Sequence, residues 1–233
     1  MNRFAPFASP LRLAWLLAQV VVMVLLVKPG LAAADAGTTR PIRIVALGDS
    51  LTAGYGVAPD DAFPAQLQRA LAARGIAVEV LNAGVSGDTS GGALQRRDWA
   101  VPDGVDAAIV ELGANDALRG MDPKLTRGAL GKIVGRLKAK GIAVLVAGRR
   151  APSNWGEDYV RDFDSIYPDL SAASNSLLYP FFLDGVAMRT DLNQSDGLHP
   201  TAAGVAEIVR RILPKVEELV ARVRTLRAAA SKG

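Results

Sequence analysis

Ser50 follows a run of strand type, Arg43-Ile44-Val45-Ala46-Leu47, and then Gly48-Asp49. A serine placed after a buried strand and a glycine sits on a sharp turn, with its hydroxyl toward the crevice where open parallel α/β sheets bind ligands. By itself the tripeptide equally fits an ordinary strand-to-helix turn with a serine cap. A hydroxyl becomes a nucleophile only when a base removes its proton, and histidine is the usual base near neutrality. The chain has one histidine, His199, within Asp196-Gly197-Leu198-His199-Pro200. An imidazole acting as base is commonly held in the right tautomer by a carboxylate on its other nitrogen. Asp196, three residues earlier on the same loop, can fold back to supply one.

Two further stretches offer hydrogen-bond donors. Asn82-Ala83-Gly84-Val85-Ser86-Gly87-Asp88-Thr89 is a glycine-rich loop entering a helix, where amides point outward. Gly113-Ala114-Asn115-Asp116 is a tight turn carrying an asparagine amide. Taken alone, Asn115 is explained by the tolerance of asparagine for left-handed backbone geometry. With a strand order 2-1-3-4-5, the loops after the first three strands lie side by side, and the donors gather around the Ser50 hydroxyl.

The elements that must position these residues alternate along the chain. Strands are expected at 43–48, 77–82, 105–112, 142–147 and 177–180. Helices are expected at 61–74, near 89–98, and at 124–140, 156–173 and 201–229. The strands are near-continuous in Val, Ile, Leu and Ala, as parallel strands buried on both faces are. This alternation predicts a three-layer α/β/α sandwich around a five-stranded parallel sheet with right-handed crossovers. Gly128, Gly131 and Gly135 lower the helix propensity of 124–140 and are expected to pack closely against the sheet. The part of the last helix beyond Pro214, rich in Lys, Arg and Glu, is expected on the surface. No internal repeat or low-complexity stretch divides the chain.

Residues 1–34 are expected to stand outside this fold. Arg3 and Arg12 lead into an apolar run from Leu13 to Val27, which Lys28-Pro29-Gly30 ends, and small residues follow from Leu31 to Ala36. That is the form of a secretory signal, with cleavage after Ala34 or Ala36. The other reading is a membrane anchor, but the run falls short of the ~20 apolar residues that a spanning helix needs. Residues 35–233 then form one domain, with no stable membrane span, in the periplasm or outside the cell.

Removing residues 1–34 takes three of the 27 Lys and Arg and no acids, leaving 24 against 23 Asp and Glu. So balanced a chain gives no argument for a nucleic-acid partner. With no cysteine and one histidine, a zinc site of the usual composition is not expected. The chain also has no GxSxG elbow, no Walker loop and no GxGxxG followed by an acidic residue.

Together the blocks GDSL (48–51), GVSGDT (84–89), GAND (113–116) and DGLHP (196–200) resemble those of the GDSL, or SGNH, hydrolases. The similarity continues through VELGANDALRG, APSNWG, IYP and YPFF, covers roughly residues 42–213, and is greatest to the bacterial thioesterase I, lysophospholipase and arylesterase branch. The resemblance implies a flavodoxin-like order 2-1-3-4-5 and a serine hydrolase of acyl esters and thioesters that needs no cofactor. It makes Ser50 the nucleophile, His199 the base and Asp196 its orienting carboxylate. The oxyanion donors would be the Ser50 amide, the Gly87 amide and the Asn115 side chain. An acyltransferase would keep the same residues, and a non-catalytic binding module could keep the same scaffold. Neither leaving group, acyl length nor oligomeric state is set by these motifs. One departure concerns Gly148-Arg149-Arg150-Ala151-Pro152-Ser153-Asn154-Trp155. Many relatives carry Met or an aliphatic residue at the place of Arg149, and Tyr at that of Trp155. If Arg149 borders the acyl site, its charge should disfavour long apolar chains.

Overall fold

The computed structural model describes residues 40–232. The expected signal segment, its cleavage points at Ala34 and Ala36, and the start of the domain at 35 lie outside the described residues. Five strands, β1 (Ile42–Gly48), β2 (Val78–Gly84), β3 (Ala107–Glu111), β4 (Ala143–Ala147) and β5 (Leu177–Tyr179), form one sheet of order β2-β1-β3-β4-β5. Every neighbouring pair is parallel, with Ile42 beside Val78, Ile44 beside Ala107, Ala107 beside Ala143 and Leu145 beside Leu177. The helices are α1 (Ser50–Ala53), α2 (Phe63–Ala73), α3 (Ser90–Ala100), α4 (Ala114–Leu118), α5 (Pro123–Ala139), α6 (Glu157–Asp164), α7 (Ile166–Ser174) and α8 (Ala202–Ala230).

Side chains alternate across a strand, so each central strand feeds two cores. Ile44, Ala46, Ile109 and Leu145 meet Phe63, Leu67 and Leu71 of α2 and Val205, Ile208 and Ile212 of α8. Val45, Leu47, Ala108, Val110, Val144 and Val146 meet Ala93 of α3, Leu130, Ile133 and Val134 of α5, and Phe163 and Tyr167. At about 1.5–3 kcal/mol for each large apolar side chain fully buried, these two layers are the main stabilising contribution. Burial on both faces holds for β1, β3 and β4, whereas β2 and β5 are half-buried edge strands.

The expected 156–173 helix is two, α6 and α7, meeting at Ser165. Pro168 lies in the first turn of α7, where its missing amide hydrogen costs nothing, and it cannot continue the helix before it. The Gly128, Gly131 and Gly135 positions open toward space, since a Cβ at any of them would meet nothing within 4 Å. Close packing therefore does not explain them; the sheet is met by Leu130, Ile133, Val134 and Leu137 on the other face. The last helix runs on through Pro214, and beyond it Val216, Leu219, Val220 and Val223 are buried in the core rather than on the surface. Among the described residues no helix is long and apolar enough to cross a membrane.

Candidate active site

β1 ends with β2 on one side and β3 on the other, so chain crossovers diverge at its carboxyl end and leave a crevice there. Gly48 closes the strand in a space that only glycine fits, because a Cβ would collide with the Thr52 side chain and a Glu111 carboxylate oxygen. Asp49 caps α1 by accepting from the Leu51 amide at 3.0 Å, which starts the helix at Ser50. Burial pushes the Asp49 carboxyl up from its ordinary value, with Arg149 and the Leu51 amide pulling it back. Thr52 donates to Glu111 at 2.6 Å, tying the new helix to the end of β3.

The loop holding His199 is pinned at both ends. Asn193 and Pro200 form an antiparallel bridge, the Gln194 amide donates to the His199 carbonyl at 2.7 Å, and Gly197 takes the left-handed conformation (φ 70°) that closes the turn. Inside it, Asp196 Oδ1 accepts from the amides of Leu198 (2.9 Å) and His199 (3.0 Å), and Oδ2 lies 2.7 Å from His199 Nδ1. The His199 amide, the imidazole and the Leu198 amide together hold the Asp196 carboxyl at about 2. The other ring nitrogen, Nε2, is 3.0 Å from Ser50 Oγ. A hydroxyl, an imidazole and a carboxylate are thus joined in one line, the arrangement that activates serine in acyl transfer. Tyr55 adds a face that the motifs did not reveal, its ring centroid lying 4.5 Å from that of His199.

The donor loops gather beside this line. Asn115 stands in the first turn of α4, while Gly113 before it takes the positive φ of 110°. The left-handed explanation of Asn115 therefore fails, and its side chain is free for another role. One Nδ2 hydrogen goes to the Asp88 carbonyl at 2.9 Å, and an amide has a second to offer. Gly87, at φ 81°, is exposed in the loop between β2 and α3, and its carbonyl accepts from Arg119 at 3.0 Å. Neither the Ser50 nor the Gly87 amide donates to any of the described residues. Asp116 is buried and accepts from the Ser90 amide at 2.9 Å, from the Ser90 hydroxyl and from Thr126 at 3.0 Å. It joins the starts of α3 and α4.

Ser50, Asn115 and His199 line a cleft of about 440 Å³ whose other walls include Leu51, Leu118 and Leu183. Gly87 does not line it, and meets the site through Asp88 and Asn115. Arg149 borders the cleft as expected, but its guanidinium is paired in the interior beneath it. Although Arg149 contributes to the wall, its side chain is 3% exposed, and its Nη2 pairs with Glu111 and lies 3.7 Å from Asp49 Oδ1. Two carboxylates closed off from water draw the cation inward, because an unpaired buried charge is costly. The exposed charge at the cleft is Arg150, whose guanidinium lies 4.9 Å from the Phe181 ring centroid.

Arg96 went unmarked among the motifs. It occupies the inward stripe of α3 with Ser90, Ala93 and Ala100. A cation on an inward stripe is itself a signal, since it must find partners there.

Residues 46–206 match the GDSL-like Lipase/Acylhydrolase family. The chain is 35% identical over 178 residues to "Esterase TesA" of Pseudomonas aeruginosa, covering 76% of this chain and 89% of the relative. It is 38% identical over 180 residues to an "Arylesterase" of Vibrio mimicus, covering 74% and 88%. The crystal structure of AlinE4, a SGNH-hydrolase family esterase, superposes with a TM-score of 0.66 at 45% identity, over 78% of this chain and 97% of that one.

Proposed function

The chain belongs to the GDSL-like lipase/acylhydrolase family and is a hydrolase of its esterase, thioesterase and lysophospholipase type; on that premise we propose how its own residues work. Ser50 Oγ attacks the carbonyl carbon of an acyl ester or thioester while His199 Nε2 takes the hydroxyl proton. His199 then returns that proton to the leaving oxygen or sulfur, and the acyl group stays on Ser50. Water, deprotonated by the same nitrogen, attacks the acyl-enzyme and frees the acid. Asp196, ionised at any pH well above 2, keeps the Nδ1 proton in place and stabilises the imidazolium as it forms.

The carbonyl oxygen gains charge at each attack. The amides of Ser50 and Gly87 and the second Asn115 hydrogen are the donors assigned to it, each worth on the order of 10²–10³ in rate. The observation that carries this reading is the line from Ser50 through His199 to Asp196, at 3.0 and 2.7 Å. The apolar walls of the cleft suit an acyl chain, and the placement of Arg150 suits a polar or anionic group nearby.

Nitrophenyl and CoA esters of graded chain length test the proposal. A burst of alcohol or thiol release followed by slower turnover is expected, with esters of one acyl group sharing the same steady-state rate, and single-phase release whose rate follows the leaving group would contradict an accumulating acyl-enzyme. Adding an alcohol acceptor separates hydrolysis from acyl transfer, since only a transferase diverts most product into the new ester. For location we propose export, from the basic start and apolar run of residues 1–34. Sequencing of exported protein is expected to begin at Asp35 or Gly37.

A further inference from the structure

We propose that Arg96 is a positioning residue for the oxyanion donors, a buried clamp that fixes the loop carrying Gly87 against the strand end carrying Ser50. Its guanidinium makes three directed bonds: Nε to Asp88 Oδ2 at 2.6 Å, Nη1 to the Ala83 carbonyl at 2.9 Å, and Nη2 to the Gly48 carbonyl at 2.9 Å. Gly48 is two residues before Ser50, and Asp88 immediately follows Gly87. One planar group therefore joins the end of β1, the end of β2 and the donor loop. The Asn115 side chain donates to the carbonyl of the same Asp88, so the clamp reaches all three donors assigned above. It rests on that assignment.

Two other bonds hold the loop, from the Asp88 amide to the Val85 carbonyl at 3.1 Å and from Arg119 to the Gly87 carbonyl at 3.0 Å, but neither ties it to the end of β1. The Val85 amide also reaches the Gly48 carbonyl, at 3.0 Å, so the donor loop hangs from β1 at this one oxygen by two donors. Gly92 lies against the Asp88 carboxylate so closely that a Cβ there would collide with it. The Arg96 and Asp88 side chains are 9% and 10% exposed, so water competes little for their bonds. Gly87 itself is exposed and at positive φ, and brings no side chain to fix its amide. Its position is set by the bond from Arg119 to its carbonyl and by its neighbour Asp88, which Arg96 holds. A guanidinium suits the task because its donors form a fixed planar fork, whereas an ammonium is a point charge that cannot hold three separated acceptors in one plane.

Arg96→Lys keeps the charge and the Asp88 pairing and loses the fork. A displacement near 1 Å in a catalytic constellation costs about 10²-fold, so kcat is expected to fall about 10- to 100-fold with KM changed little. Affinity for a trifluoromethyl ketone, whose adduct with Ser50 places an anionic oxygen among the donors, should fall by the same factor as kcat/KM. A purely structural role would lower the melting temperature and move neither ratio. If Arg96→Lys does not fold, Asp88→Asn is the second variant: it keeps Arg96 and both carbonyl bonds, weakens the link to the donor loop, and should show the same pattern to a smaller degree. Retention of kcat within about twofold in a folded variant, or a loss of kcat without a loss of ketone affinity, overturns the clamp. Ser50→Ala is measured beside them. If it keeps turnover, the proposed function itself has failed, whereas an inactive Ser50→Ala with a fully active Arg96→Lys removes the clamp alone.

Discussion

Asp106 and Asp196 are both aspartates bonded to cationic or potentially cationic partners, at opposite ends of the same sheet. At the amino end, Asp106 precedes β3 and accepts from Arg40 at 2.7 and 2.9 Å, from Arg227 at 2.7 and 3.1 Å, and from the Arg43 amide at 2.8 Å. Burial pushes its carboxyl up, but the bonds from Arg227, Arg40 and the Arg43 amide outweigh burial and hold it below the ordinary value. At the carboxyl end, Asp196 is lowered too, by its loop amides and His199. The difference lies in what the partner does next. Arg40 and Arg227 end their chains of bonds on backbone carbonyls and tie the first strand to the last helix. His199 passes its second nitrogen to a hydroxyl that faces the cleft. The two ends therefore differ in the imidazole at Asp196, which has one side open to a hydroxyl, and not in the presence of a low carboxylate.

Removing the middle member should give the largest effect. His199→Ala is expected to fold and to lose at least about 10⁴-fold in kcat, as when an acting base is removed; kcat within tenfold of wild type would place the base elsewhere. Next comes Asn115→Ala, which removes a donor to the oxyanion and should lower kcat on the order of 10²–10³-fold with KM little changed. A loss under fivefold would return Asn115 to a structural role.

Arg149→Met tests the interior beneath the site. It leaves Asp49 and Glu111 buried without their cation, so stability measured by urea unfolding should fall by about 3–5 kcal/mol. Preference among C4 to C16 esters should stay as it is, because the charge removed does not face the cleft. A stable variant with relaxed chain preference would mean that Arg149 turns outward in solution.

The smallest effect is expected at the other end. Asp106→Asn should lower the melting temperature by a few degrees, equivalent to about 1–3 kcal/mol from weakened charged hydrogen bonds, and leave kcat unchanged. A carboxyl lowered by folding contributes stability that is complete above its ordinary value of 3.8 and is lost as pH falls below it. The gap between wild type and Asp106→Asn should thus be full at neutral pH and narrow as pH falls below about 4. A gap that widens in acid would reverse the assigned sign.

How much of this was legible depended on the range of the contact. Asp196 and His199 are three residues apart on one loop, so their pairing could be read from spacing. The strands and long helices could be read from their apolar runs, and the strand order followed from the family resemblance. α1 and α4, which carry Ser50 and Asn115, are too short to show a period, and both looked like turns. The break at Ser165 was marked by Pro168, which the helical pattern overrode. Arg96 joins carbonyls 13 and 48 residues earlier in the chain, a convergence that only the folded sheet creates. Arg149 and Arg150 are adjacent, and which of them turns inward was decided by the buried Asp49 and Glu111. The three glycines of α5 fall outside its apolar stripe, so their outward placement was readable from that stripe.

The central claim is that Ser50 is the nucleophile and His199 activates it. An organophosphonate ester reacts with such a serine by losing its leaving group and forming an oxygen–phosphorus bond. Intact-mass measurement with peptide mapping should find one adduct per chain, on the peptide containing Ser50, rising in step with loss of esterase activity. The same reagent should leave His199→Ala unlabelled over the same interval. An adduct on another residue, or full activity in fully labelled protein, would contradict the account.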